Sequence, residues 1–85
     1  MTRLWLGGEA IEVWGEDGVP EGFVWQGTPH SVRQVCNLWR IHTCWWDPHA
    51  VVWREYLKVI TESGLLCQIY RDLIGDKWYL SRLYD

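Results

Sequence analysis

Apolar and polar residues alternate with a period of two through the second half of the chain. Leu65, Cys67 and Ile69 fall on one face of an extended segment, and residues 77–84 alternate in the same way. Ser63-Gly64 and Gly75-Asp76 are turn sequences on either side of the first of these segments. Residues 51–84 therefore predict a three-stranded antiparallel meander.

The first half of the chain carries shorter signals. Ile11–Trp14 and Phe23–Trp25 predict two short strands separated by Gly- and Pro-containing turns. Residues 30–41 fit a helical stripe, and they also fit a strand with one bulge. The strand is favoured because Val and Trp fill this segment and neither end carries a helix cap. Asp47-Pro48 is a helix-start signal, but the β-rich residues that follow argue against a helix.

These segments predict a mainly β fold of five or six antiparallel strands in a meander. A sheet this small hides its apolar faces best as a curled sheet or a small SH3-like or partly open barrel. The 85 residues make one domain. We expect a loosely held N-terminal segment at 1–10 and a single β domain at 11–85, with Trp14, Trp25 and Trp78 in the core.

Composition and charge exclude several protein classes. Eight Trp, four Tyr and one Phe are incompatible with a disordered chain. Residues 9–21 hold five acids and no base, whereas residues 30–85 hold seven bases and six acids, so the broad basic surface of a duplex-binding protein is absent. The three cysteines show no disulfide spacing, and no apolar run is long enough for a signal peptide or a membrane span. The sequence predicts a cytoplasmic protein that does not enter the membrane.

Candidate metal and catalytic residues are sparse. His42, Cys44 and His49 come nearest to zinc-ligand spacing, but the cysteines also fit as small apolar core residues and the histidines as loop residues. The apolar surroundings of the thiols disfavour a nucleophile, and no serine-nucleophile or phosphate-loop motif is present. We predict no catalytic residue, no metal site and no cofactor.

Aromatic and cationic residues are interleaved in the middle of the chain. Rings beside cations are typical of single-stranded nucleic acid binding, and also of protein interfaces. Any one of these rings can instead be core. Trp45 and Trp46 point to opposite faces if the chain is extended there, so at least one should be exposed or covered by another element. The candidate binding residues are Trp45, Trp46, Arg40, Arg54 and Tyr56.

A string of motifs carries a family resemblance. It comprises residues 23–27 (FVWQG), Trp39, Trp45-Trp46, residues 54–61 (REYLKVIT), residues 69–72 (IYRD) and residues 78–85 (WYLSRLYD). The chain resembles a bacterial domain-of-unknown-function family of small Trp-rich β domains. From Tyr56 to Tyr84 it is also similar to the C-terminal segment of Y-family DNA-polymerase-like proteins of the mutasome type. That likeness implies an accessory role near translesion synthesis.

Three hypotheses follow. The first is a non-catalytic accessory module that contacts single-stranded nucleic acid or a DNA-repair protein. The second is a protein-interaction or self-association module, such as a homodimer, that uses an open sheet edge. The third is a metal-binding domain built on His42, Cys44 and His49.

Overall fold

The computed structural model describes residues 2–16 and 18–84, without the side chains of residues 2 and 5–7. Its six strands are β1 (Thr2–Glu16), β2 (Val19–Trp25), β3 (Thr28–Thr43), β4 (Val52–Thr61), β5 (Leu66–Asp72) and β6 (Lys77–Tyr84). Each strand pairs antiparallel with the next, and β1 also pairs with β6. The predicted mainly β barrel is confirmed. It is closed rather than partly open, because β1 pairs with both β2 and β6.

Two long strands are each shared between two sheets. In β1, residues 2–11 pair with β6 and residues 12–16 pair with β2. In β3, residues 28–31 pair with β2 and residues 32–43 pair with β4. A small sheet centred on β2 therefore folds across a larger sheet, and residues 33–43 of β3 are paired along one edge only within the described part of the chain.

The core lies between these two sheets. Its buried apolar residues come from every strand except β3, and they are Ile11, Phe23, Leu57, Val59, Cys67, Ile69, Leu80 and Leu83. Trp25 and Trp78 pack against this cluster, as predicted. The prediction for Trp14 is wrong, since 40% of it is exposed. Its ring lies over its cross-strand partner Gly22, where a Cβ would collide with it.

Strand boundaries differ from the predictions in two places. β3 is a strand as predicted, but its register shifts twice, after Val32 and after Val35, rather than once. β1 begins at Thr2 and not at Ile11, because a register shift between Leu4 and Glu9 interrupts the alternation that marks a strand in the sequence. The loose attachment of residues 1–10 stays a prediction. Met1, Asp17 and Asp85 lie outside the described residues.

The C-terminal meander is confirmed with both of its turns, at 62–65 and 73–76. The helix-start signal at Asp47-Pro48 forms a turn instead, in which Asp47 Oδ1 accepts a hydrogen bond from the His49 N–H at 2.9 Å. The described residues contain no helix. A helix with the length and hydropathy needed to cross a bilayer is accordingly absent from that part of the chain.

Candidate functional site

The outer face of the larger sheet is set by alternation along β4. Glu55, Leu57, Val59 and Thr61 are buried and face the interior. Residues between them therefore face outward, because successive side chains of a strand point to opposite sides. Arg54, Tyr56 and Lys58 consequently share the outer surface of the barrel.

Four aromatic rings cross this outer face in register. Trp39, Tyr56, Tyr70 and Tyr79 are direct cross-strand partners on β3, β4, β5 and β6. The Trp39 and Tyr56 rings are stacked with centroids 5.5 Å apart and planes 6° apart. Centroid spacings of 5.1 Å continue from Tyr56 to Tyr70 and from Tyr70 to Tyr79. We call these four residues the ring row.

One end of the ring row is covered and the other is open. A Cβ built on Gly8 would lie 2.7 Å from Tyr79 Cβ and 2.9 Å from Tyr70 Cε2, so the β1 backbone sits directly on these two tyrosines. Tyr70 is 2% exposed, and this burial raises its pKa above the usual value of 10.0. Trp39, at the opposite end, is partly exposed on β3, and β2 pairs with β3 only as far as Ser31.

Cations flank the ring row on both sides. The Arg54 guanidinium donates to Tyr56 Oη at 3.3 Å and lies 4.6 Å from the centre of the Tyr70 ring. The hydrogen bond to Tyr56 raises the pKa of Arg54 above its usual value, so the charge is permanent. Lys58 Nζ and Arg82 Cζ lie 5.0 and 5.8 Å from the Tyr84 ring centre. Such cation–ring contacts hold the charges in place while leaving them able to meet an anion.

Carboxylates are scarce on this face. Among the described residues of β3 to β6, Asp72 is the one carboxylate that faces outward, and it lies opposite Arg54 in the register. Its Oδ1 accepts hydrogen bonds from the backbone N–H groups of Ile74 and Gly75, at 3.0 and 3.4 Å. Asp72 is therefore partly occupied in shaping the β5–β6 turn. The outer face of β3 to β6 is net positive, although the whole chain carries a charge of −3.

The five predicted binding residues occupy three different places. Arg54 and Tyr56 come together beside the ring row. Arg40 faces the other side of β3, where its Nε donates to the buried Glu55 carboxylate at 2.7 Å. Trp45 and Trp46 are 70% and 69% exposed in the β3–β4 turn, with their rings edge to face at 5.8 Å. Both rings are exposed, whereas the sequence predicted only that at least one would be exposed or covered by another element or partner.

Tyr70 and Tyr79 are members of the ring row that the sequence analysis did not single out. In the structure a turn centred on Ser63 places Tyr56 opposite Tyr70, and a turn centred at 74–75 places Tyr70 opposite Tyr79. The turn signals at Ser63-Gly64 and Gly75-Asp76 are centred slightly further along the chain, so they do not give this pairing.

The candidate metal ligands and the cysteines do not form a reactive site among the described residues. Among the described residues, no three His, Cys, Asp or Glu side chains come close enough to hold a metal ion, so His42, Cys44 and His49 do not form a site. All three cysteines are free, and burial raises the pKa of Cys67 from 9.0 to about 11, which disfavours a reactive thiolate. A cavity of about 240 Å³ at one end of the barrel is lined by Trp14, Trp78 and the Arg71–Asp76 ion pair, among others.

Comparison with known proteins identifies the family alone. No curated protein and no solved structure has a significant match to this chain. Residues 5–85, nearly the whole chain, match a family described as a domain of unknown function. That agrees with the resemblance to a family without an assigned function. The chain therefore belongs to the family Domain of unknown function (DUF6504).

Proposed function

We propose that this domain is a non-catalytic binding module for single-stranded nucleic acid, which lies along the ring row. The observation that supports this best is the in-register row of four rings with Arg54 on one side and Lys58 and Arg82 on the other. Stacking rings beside a positively charged track are what binders of unstructured strands use. Neither duplex grooves nor base-edge recognition is needed for such binding.

The open end of the row is the entry point for a base. Trp39 is stacked on Tyr56 through one face, and among the described residues no strand is hydrogen-bonded to β3 beyond it. A base that stacks on the other face of Trp39 extends the row by one ring. Base–aromatic stacking contributes about 1–3 kcal/mol per base.

The cations predict a modest salt dependence. Each phosphate contact with a single strand contributes about 0.7 to the slope of log affinity against log salt. Arg54, Lys58 and Arg82 would therefore give a slope near −2, by about 0.7 for each of three contacts. A slope of that size distinguishes a small stacking platform from a large basic groove.

Binding is tested by titrating the full chain with an unstructured labelled oligonucleotide at low salt. We expect quenching of Trp emission and a rise in label anisotropy, both weakened by added salt. Trp39→Leu should weaken binding by about fivefold to 150-fold, the equivalent of ~1–3 kcal/mol, because the base stacks on the open face of this ring. Trp53→Leu is the matched control, because Trp53 is 43% exposed but stacks on His42 on the other face of the same hairpin.

Two results would refute the proposal. One is the absence of both quenching and anisotropy change at low salt. The other is equal weakening by Trp39→Leu and Trp53→Leu in variants that stay folded by circular dichroism. The second result would mean that losing either ring affects binding alike, so the ring row is not the specific contact surface for the strand.

Self-association is a second candidate function, favoured by the unpaired edge of β3. Leu38 and Ile41 are 51% and 37% exposed on that strand. An exposed apolar edge of this kind pairs readily with another strand. A concentration-dependent dimer in sedimentation, insensitive to oligonucleotide, would support this function over the first. A monomer at all concentrations would exclude it.

A DNA-repair protein as partner rests on the similarity of the C-terminal hairpin to mutasome-type proteins. Trp45 and Trp46 offer exposed rings for such a contact, as Trp does in many interfaces. The cytoplasmic location and the bacterial origin of the family also remain predictions. Pull-down of a repair component by the wild-type chain, and not by a Trp45→Ala/Trp46→Ala variant, would support this partner. Equal recovery with both chains would count against it.

A further inference from the structure

Two cations converge on one ring at the flank of the ring row. Lys58, Gln68 and Arg82 are cross-strand neighbours in the row of outward residues next to the rings. Lys58 Nζ lies 5.0 Å and Arg82 Cζ 5.8 Å from the centre of the Tyr84 ring. Arg82 Nη1 also donates to Tyr84 Oη at 3.5 Å. The β4 and β6 strands thus bring two positive charges together over one tyrosine.

These cations lack a counter-ion among the described residues. The ion pairs in that part of the chain are Arg40–Glu55 and Arg71–Asp76, and neither involves Lys58 or Arg82. Gln68, which lies between the two cations, donates its side-chain amide to Ser81 Oγ at 3.1 Å. Gln68 is neutral, so it does not compensate either charge.

Arg82 also carries a buried donor without an acceptor. Its Nε is buried and has no hydrogen-bond partner within the part of the chain that the structure describes. Leaving a buried donor unsatisfied is destabilising, and more so for a charged group. The convergence of Lys58 and Arg82 on Tyr84 favours an anion with several acceptor oxygens, and the unsatisfied donor lies on the same Arg82 guanidinium.

We propose that Lys58, Arg82 and Tyr84 form a binding site for a phosphate group. A tetrahedral phosphate presents oxygens in several directions, so it can accept from an ammonium and a guanidinium at once, whereas a planar carboxylate matches a single arginine fork. Lys58 lies two residues from Tyr56, or about 7 Å along the strand. A phosphodiester at Lys58 therefore lies beside a strand that stacks on the ring row.

The site deepens the proposed function when the phosphate belongs to a nucleic acid backbone, and to that extent rests on it. A free phosphate is the other source of the same chemistry. The two sources are separated by testing inorganic phosphate and oligonucleotides in parallel on the full chain.

The first arm follows the Arg82 Nε–H resonance by NMR during titration with inorganic phosphate at constant ionic strength, kept with chloride. We expect a saturable shift in the wild-type chain, which is weakened severalfold in Lys58→Gln. Arg3→Gln is the charge-matched control, since its guanidinium lies over the Trp25 ring at 5.7 Å and away from this site. No saturable shift, or an equal loss in Arg3→Gln, would overturn the proposal.

The second arm measures oligonucleotide binding at several salt concentrations. Lys58→Gln and Arg82→Gln should each reduce the salt slope by about 0.7. An oligonucleotide with a neutral methylphosphonate backbone should still quench Trp emission but should no longer respond to either substitution. If Arg82→Gln fails to fold, Lys58→Gln keeps both arms measurable, because it retains the Arg82 Nε–H and removes one charge.

The two proposals fail in different ways. A phosphate-induced Arg82 shift without oligonucleotide binding supports the phosphate site and refutes the nucleic-acid function. Oligonucleotide binding with unchanged salt slopes in both variants, and with no phosphate-induced shift, supports the ring row and overturns the phosphate site.

Discussion

The contact between Trp39 and Tyr56 can be measured without any ligand. These residues are direct cross-strand partners, and their rings are nearly parallel with centroids 5.5 Å apart. Aromatic pairs in such arrangements contribute about 0.5–1.5 kcal/mol beyond the area that they bury. A double-mutant cycle with Trp39→Leu, Tyr56→Leu and the double variant should give a coupling energy of about 1 kcal/mol.

The design of the cycle removes the main competing contribution. Tyr56→Leu also deletes the hydrogen bond from Arg54 Nη1 to Tyr56 Oη. That loss is present with and without Trp39, so it cancels in the coupling energy. The cycle therefore isolates the ring contact from the cation contact.

Urea unfolding followed by circular dichroism is the appropriate assay, because a domain of this size is expected to unfold in two states. The four variants must have equal m-values for their free energies of unfolding to be compared. Trp39→Leu combined with Trp53→Leu is the control, since the two rings point to opposite faces of the hairpin and should be additive within about 0.5 kcal/mol.

A coupling energy below the additivity error of ~0.3 kcal/mol would refute the reasoning. It would show that Trp39 and Tyr56 do not stack in solution. The open end of the ring row would then be lost as an entry point for a base, whatever the affinity for oligonucleotides.

Three further outcomes follow from individual contacts. Gly8→Ala should lower the free energy of unfolding by about 2 kcal/mol or more, because Gly8 has a φ of 80° and the new Cβ would meet Tyr79 Cβ at 2.7 Å; unchanged stability in urea would contradict this packing. The buried Cys67 should resist thiol reagents at pH 8, where the exposed Cys36 reacts. Because burial raises the pKa of Cys67 to about 11 in the folded chain, the free energy of unfolding should fall as pH rises from 9 to 11, and a Cys67→Ala variant should reduce that fall. Arg40→Gln should lower the free energy of unfolding in urea by about 1–3 kcal/mol, because it leaves the buried Glu55 carboxylate without its partner. An equally large loss in an Arg40→Gln/Glu55→Gln double variant would argue against that explanation.

Much of the fold was predictable because its strands follow simple alternation. The meander from β4 to β6 has clear turn sequences and buried residues at every second position, as at Leu57 and Val59. The start of β1 could not be read in the same way. Its register shift between Leu4 and Glu9 places Gly8 against two tyrosines of other strands, and this contact depends on the closed barrel.

Less of the candidate site was predictable. Arg54 and Tyr56 were found because cations and rings alternate along β4. Arg40 was placed with them by proximity in sequence, but its side chain points to the other face and pairs with Glu55. The face on which a β3 side chain lies depends on its position in the alternation along the strand. The two register shifts in β3 interrupt that alternation, so the face of Arg40 could not be read from the sequence.

The barrel separates the charges of the chain onto two sides. The described acids of β1 and β2, such as Glu12, Glu16 and Glu21, are exposed on the small sheet. Arg54, Lys58 and Arg82 lie on the outer face of the larger sheet, across the core. The net charge of −3 repels a polyanion at long range, and salt screens that repulsion beyond about 8–10 Å.

Contacts at the ring row act at shorter distances and are screened less. Adding salt therefore weakens the phosphate contacts and the long-range repulsion together, and these two effects oppose each other. The observed salt slope should accordingly be shallower than the three cations alone would give. Acids on the small sheet would also disfavour approach of a polyanion from that side, which under the proposed function directs the strand to the ring row.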